Sequence, residues 1–306
     1  MNPIRNVLAA TDLSDNALPA LKAAAQLAEL CNAELWVVHV VPPVDTAHEA
    51  LLGEARDKIE ARAKAALSEV CRALKKPPVP SNVILEQGDP ATKIHEACKR
   101  LSIDVLVAGT RGHGGSDKKT MGRVAERLAH TAVCDVLLVR PDFKKGFSKI
   151  CVAVDFSGPS LMALERAAEL ARTYKTAKLT LCHVVHIPDD YWHSGISEKE
   201  TIRRMRGFAK EHMAELQAKC DLEGLKCKEA YNEGSPATEL AKLTKGEGAD
   251  LLVIGSHGST AAASAVIGSV AAKTVSAVPC SIWIETDPSF KRTFLTALGA
   301  LMGLGD

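Results

Sequence analysis

The sequence carries almost no net charge: 38 Lys and Arg against 37 Asp and Glu leave +1. No whole-chain field therefore draws nucleic acid or an anionic membrane, and any anion site must be local. Nor is there a run of the roughly 18 apolar residues that a membrane span needs. Met1-Asn2-Pro3-Ile4-Arg5 leads straight into a strand-like segment, without the charged and apolar regions of a secretory signal. CxxC is absent too. The nine cysteines are scattered and odd in number, which argues against a disulfide framework. They read as reduced thiols in a cytosol, mostly small buried apolar residues.

What is present is an internal repeat, in a chain whose 306 residues make about two domains. Residues 6–41 read NVLAATDLSDNALPALKAAAQLAELCNAELWVVHVV, and 150–185 read ICVAVDFSGPSLMALERAAELARTYKTAKLTLCHVV. Asp12 matches Asp155, His39 matches His183, and Gly88-Asp89-Pro90 matches Gly234-Ser235-Pro236. Gly109, Gly112 and Gly122 match Gly255, Gly258 and Gly268, and Cys134 matches Cys280. The separation drifts by only a few positions along the copy, which marks duplication of a whole domain. The polar PDFKKGFS stretch at 141–148 reads as the linker. The expected domains are 1–142 and 148–286, followed by an apolar tail at 287–306. That tail is too short to span a bilayer and is expected to pack as a helix on a domain or partner.

Both copies show one element order. Strand one (Val7–Ala10; Ile150–Val154) precedes a helical stretch (Asn16–Cys31; Pro159–Tyr174), where Leu18, Leu21, Ala25 and Ala28 form an apolar stripe. Strand two (Glu34–Val41; Lys178–Val185) leads to a long helix, about 47–75 and 196–222. Strand three is Val83–Glu86 or Lys226–Ala230, and a helix starts at Pro90 or Pro236. Strand four (Asp104–Ala108; Asp250–Ile254) is apolar without alternation, as in a sheet covered on both faces. A last helix and strand five (Val136–Arg140; Ser281–Glu285) close each copy. Such alternation predicts α/β domains with doubly wound parallel sheets.

In copy two, strand four ends in Gly255-Ser256-His257-Gly258, and Gly268-Ser269 opens the last helix. Gly255 and Gly258 are expected to turn the chain with positive φ and to bring backbone N–H groups close to a ligand. Gly268-Ser269 falls at a helix N-terminus, where free N–H groups and the macrodipole attract an anion. This is also the carboxyl end of the parallel strands, where open α/β sheets bind ligands. With this G-x2-G-x9-G-[ST] pattern, Asp12-x-Ser14 and Asp155-x-Ser157, and the strand endings His39-Val40 and His183-Val184, the chain resembles the universal stress protein family in its tandem form. The resemblance spans about residues 4–286. It implies a Rossmann-like sheet in each copy with strand order 3-2-1-4-5, and fifth strands at edges suited to joining the copies. It further implies that ATP is bound, with Asp155 and Val184 at the adenosine end and Gly255, Gly258, Gly268 and Ser269 at the phosphates.

Copy one keeps the corresponding Asp12, Val40, Gly109, Gly112 and Gly122, but Arg123 stands where Ser or Thr is expected. Arg123 either closes the phosphate pocket, leaving a degenerate site, or pairs with phosphate as a forked donor. Its size favours the degenerate site. Arg111, Lys118 and Lys119 lie in the same loop. His183, His186 and His193 with Asp189 and Asp190 match no standard metal spacing and read as loop polarity. His39 and His183 read as oriented strand-end residues, and His257 as either a phosphate contact or an exposed turn residue. No histidine near Asp12-Leu13-Ser14 or Asp155-Phe156-Ser157 in sequence supports a serine triad. Lys75, Lys76, Lys118 and Lys119 read as solvated faces.

The expectation is a cytoplasmic stress-response protein that binds ATP mainly in its second domain and uses occupancy as a regulator or sensor. Magnesium is compatible with the triphosphate, though no carboxylate pair for it is evident. The partner is an adenine nucleotide, with intramolecular domain pairing and a homodimer as further expectations, and no nucleic acid or membrane. The competing readings are a slow ATPase or phosphotransferase, which lacks an evident general base, and a partner-binding protein without nucleotide.

Overall fold

The computed structural model describes residues 3–43, 55–75, 77–113, 121–131, 133–176, 178–187, 195–258 and 267–286. The chain separates into two compact units that meet between Gly146 and Phe147.

The first unit runs β1 (Asn6–Thr11), α1 (Leu18–Cys31), β2 (Glu34–Val41), α2 (Ala55–Arg72), a short 3₁₀ turn at Pro80–Asn82, and β3 (Val83–Gln87). It ends with α3 (Pro90–Arg100), β4 (Val105–Gly109), α4 (Arg123–His130) and β5 (Asp135–Val139). Its strands are all parallel, in the order β3-β2-β1-β4-β5. The second unit repeats this as β6 (Ile150–Ala153), α5 (Gly158–Thr173), β7 (Lys178–Val185), α6 (Glu198–Lys219) and β8 (Lys226–Glu233). α7 (Pro236–Glu247), β9 (Leu251–Gly255), α8 (Ser269–Ala277) and β10 (Ser281–Glu285) complete it. Its order is β8-β7-β6-β9-β10, again parallel throughout. Each unit is thus the expected α/β sheet in the order 3-2-1-4-5.

The elements follow from their residues. β4 and β9 have no polar alternation, and Val105, Leu106, Leu251 and Leu252 are wholly buried, as a strand covered on both faces requires. In α1 the stripe residues Leu21, Ala25 and Ala28 are buried. α1 starts at Leu18, later than expected, because the preceding residues are spent in a turn in which the Ala17 amide donates to the Ser14 carbonyl. Pro90 opens α3, and the Asp89 carboxylate caps it by accepting from the Thr92 amide at 3.0 Å. β8 runs three residues past its expected end because its pairing with β7 continues to Val185↔Glu233. Of the long helix expected at 47–75, α2 lies within the described residues and 47–54 fall outside them.

One charged pair is built into the second core. Arg166 on α5 and Glu285 on β10 are each 4% exposed. Arg166 Nε donates to Glu285 Oε2 at 2.9 Å and Nη1 to Glu169 Oε2 at 2.6 Å. The Trp283 indole donates to Glu285 Oε2 at 2.9 Å, and the guanidinium carbon lies 5.5 Å from the centroid of that indole. The surrounding hydrogen bonds are what make so deep a charge pair tolerable.

Candidate functional site

Each sheet ends β1 or β6 in an Asp-x-Ser bend. Leu13 and Phe156, the middle residues, both sit at φ +65°, a left-handed conformation uncommon for residues with a Cβ. Local hydrogen bonds hold the bend. In copy one, the Ser14 amide and hydroxyl donate to Asp12 Oδ1 at 3.1 and 2.6 Å. In copy two, the Ser157 amide and hydroxyl donate to Asp155 Oδ1 at 3.0 and 2.5 Å. Ser157 also caps α5, accepting from the Ser160 amide. The bend thereby fixes a carboxylate at the carboxyl edge of each sheet.

The histidines at the ends of β2 and β7 brace the same bend. His39 Nδ1 donates to the Thr11 carbonyl and His183 Nδ1 to the Val154 carbonyl, both at 2.8 Å. This sets the tautomer, since a carbonyl can only accept. Burial pushes His183 below its ordinary range, outweighing the bond to Val154 that favours its charged form. These residues are oriented strand-end groups, as expected. β1 stops pairing at Thr11↔His39, so Val40 extends beyond the end of β1. Likewise β6 stops at Ala153↔Cys182, and Val184 extends past it.

The glycine loops correct one expectation. Gly109, Gly112, Gly255 and Gly258 are absent from the positive-φ residues, so the turn needs no left-handed glycine here. What these glycines supply is room. A Cβ on Gly258 would stand 2.6 Å from Asp155 Oδ2, and one on Gly112 would collide with Asp12 Oδ2. A Cβ on Gly255 would stand 2.9 Å from the Pro159 carbonyl oxygen. In copy one this close approach lets the His113 amide donate to Asp12 Oδ2 at 2.8 Å. Those bonds and the two from Ser14 hold the Asp12 carboxyl below its ordinary range although burial, the largest single influence, pushes it up.

Gly122 and Gly268 precede α4 and α8 in extended conformation, and their amides donate to the Thr110 and Ser256 carbonyls at 2.9 and 2.8 Å. Neither brings a side chain to cap its helix. Among the described residues no side chain caps either helix, so first-turn amides there can donate to an outside acceptor. Ser269, the first residue of α8, is exposed beside them.

In copy one, Asp12, Val40, Gly109, Gly112 and Gly122 line a single cavity of about 620 Å³. Arg111, His113 and Arg123 share its wall. In copy two, Gly258 approaches Asp155, while Gly268 packs on His257 and Ser256. His257 is 8% exposed, with Nδ1 3.0 Å from the Ser256 hydroxyl, so it is a buried loop residue rather than an exposed turn. An aromatic group next to Asp155 was not signalled by any sequence pattern. There the Phe156 ring lies 4.5 Å from His183 and 5.8 Å from His212, and Phe208 stacks on His212 at 3.6 Å.

Among the described residues, no three His, Cys, Asp or Glu side chains gather as a metal group. Asp189, Asp190, His193, Lys76, Lys118, Lys119 and the tail at 287–306 lie outside the described residues. No helix among the described residues is long and apolar enough to cross a membrane. Seven of the nine cysteines are buried, and burial pushes the Cys71 thiol up to about 11.

The family model described as the universal stress protein family matches the chain twice, over residues 3–140 and 146–284. Universal stress protein A homolog 1 of Coxiella burnetii is 34% identical over 140 residues, covering 44% of this chain and 95% of its own length. A universal stress protein of Thermus aquaticus is 35% identical over 137 residues, covering 44% and 98%. Among solved structures, a universal stress protein from Archaeoglobus fulgidus superposes with a TM-score of 0.59 at 19% identity, covering 92% of this chain and 96% of its own. That likeness supports the fold alone. With both copies matched by one family model, and with the doubly wound sheets and glycine loops in place, the chain belongs to the universal stress protein family.

Proposed function

We propose that this chain is a cytoplasmic stress-response protein that binds ATP, chiefly in its second copy, and acts as a nucleotide-dependent regulator or sensor. The observation that carries the reading is the end of α8. Gly268 brings no cap, Ser269 is exposed at the first helical position, and the Gly255–Gly258 loop folds against the Asp155 carboxylate beside it. A phosphate chain fits such an N-terminus, where amides and dipole both favour negative charge. In this reading Gly268 and Ser269 hold the phosphates, and Gly255 and Gly258 shape the loop around them. Asp155 and the Val184 backbone hold the adenosine end, and magnesium enters with the triphosphate. Regulation requires that ATP favour one conformation or partner complex over another.

Calorimetry on the full chain tests this. The expected result is one tight, adenine-selective ATP site per chain, with adenine nucleotide seen by mass spectrometry in the purified protein. A chain that takes up no ATP and carries no nucleotide would sink the proposal. Phosphate release at stoichiometric protein would replace the sensor by an ATPase.

A further inference from the structure

The two copies hold the same Asp-x-Ser bend by different means. In both, the middle residue sits at φ +65°. That conformation disfavours a residue with a Cβ by about five- to thirtyfold. In the first copy the amide of that residue is tied down, since Leu13 donates to the Thr11 hydroxyl at 3.0 Å. The second copy has Val154 at the place of Thr11, and valine has no hydroxyl to accept. It has rings instead. Phe156 meets Phe208 edge-on at 6.4 Å and His212 at 5.8 Å, both from α6, and His183 at 4.5 Å. Phe208 and His212 stack at 3.6 Å, and Tyr231 on β8 meets His183 edge-on at 6.2 Å. The first copy has Leu13 at the place of Phe156, and its register pairs His39 with Leu85 where the second pairs His183 with Tyr231. Successive strand residues face opposite sides of a sheet, so the His183 ring lies on the face opposite the Val184 side chain. None of these rings comes from the glycine loop. Phe208 is 56% exposed, so its own burial gives little reason for an aromatic residue there.

We infer that Phe208 is a positioning residue for Asp155. Through Phe156 it holds the bend closed, so that α6 sets how firmly the second copy grips a nucleoside. The effect on the nucleoside rests on the reading of Asp155 as the adenosine contact; the brace on the bend does not. An edge-to-face ring pair shifts an open–closed equilibrium by about two- to tenfold. That is enough to offset much of the penalty on the left-handed Phe156.

Amide hydrogen exchange, followed by NMR on the full chain, reads the bend without any ligand. The Ser157 amide donates to Asp155 Oδ1 at 3.0 Å, and the Ser14 amide, donating to Asp12 Oδ1 at 3.1 Å, is the reference in the same molecule. Phe208→Ala should speed exchange of Ser157 by about two- to tenfold and leave Ser14 unchanged. Phe208→Tyr keeps the ring and should behave as the parent. Val154→Thr, added to Phe208→Ala, supplies the hydroxyl that the first copy uses and should restore slow exchange. ATP affinity of the same variants should fall and recover by the same factor. Unchanged Ser157 exchange in Phe208→Ala would overturn the inference, as would equal acceleration at Ser14 or fast exchange in Phe208→Tyr. If Ser157 responds while ATP affinity does not, the link from α6 to the nucleoside falls. If the parent chain binds no ATP, the nucleotide reading fails by itself, and the exchange result still decides the brace.

Discussion

Gly258→Ala tests whether the glycine loop is shaped by contact with Asp155. The new methyl would stand 2.6 Å from Asp155 Oδ2, a separation that real Cβ contacts essentially never show. Either the loop or the carboxylate must move by the better part of an ångström. The carboxylate is pinned through Oδ1 by the Ser157 amide and hydroxyl. Hydrogen bonds to charged groups contribute roughly 1.5–3 kcal/mol, so displacing Asp155 should cost about that much stability. The same displacement moves a proposed adenosine contact, so ATP affinity should fall by about ten- to a hundredfold. The decisive assay is a double-mutant cycle read by chemical denaturation and ATP titration. In an Asp155→Ala background the obstacle is gone, and Gly258→Ala should then cost well under about 1 kcal/mol. If its cost is the same in both backgrounds, the contact with Asp155 is not what requires glycine.

Ser269→Ala removes a hydroxyl from the start of α8 and should weaken ATP binding by about ten- to a hundredfold without lowering the melting temperature; a lower melting point with unchanged affinity would refute the phosphate role. Asp155→Ala should reduce the preference for ATP over tripolyphosphate, and an unchanged ratio would remove it from the adenosine end. The pH response has a definite sign. Burial pushes His95 and His183 below the ordinary 6.5, so the unfolded chain takes up protons that the folded copies refuse. Their contribution to stability is full above pH 6.5 and is lost as pH falls through the lowered folded values. His95→Gln and His183→Gln should each flatten the decline in melting temperature below pH 6.5, and an undiminished slope would count against the assignment.

The duplication, the element order and the strand order could all be read before any coordinates, because hydrophobic periodicity and repeated glycines survive in one dimension. The use of those glycines could not. A glycine offers both conformational freedom and a missing Cβ, and the sequence does not say which is used. At Gly112 and Gly258 the answer lies in a carboxylate about a hundred residues away along the chain. The places of Ser269 and Asp155, at a helix start and just past a strand end, were legible because such positions carry their own local signals. The aromatic group around Phe156 was not, because it depends on neighbours from different elements. Arg166 and Glu285 escaped for the same reason: they are 119 residues apart, and a charged residue on an apolar helix face looks like an interruption.

That pair also has an evolutionary consequence. At the corresponding places the first copy has Ala23 and Val139, two small apolar residues that need nothing from each other. Either arrangement is self-consistent, but their mixtures are not. A second copy given the first copy's helix would bury Glu285 without its guanidinium, and a broken buried pair costs about 3–5 kcal/mol. Passing segments between the halves by recombination is therefore penalised unless helix and strand travel together. Two copies that began as spare parts for one another have become separate lineages within one chain, each free to change its ligand without being overwritten by its twin.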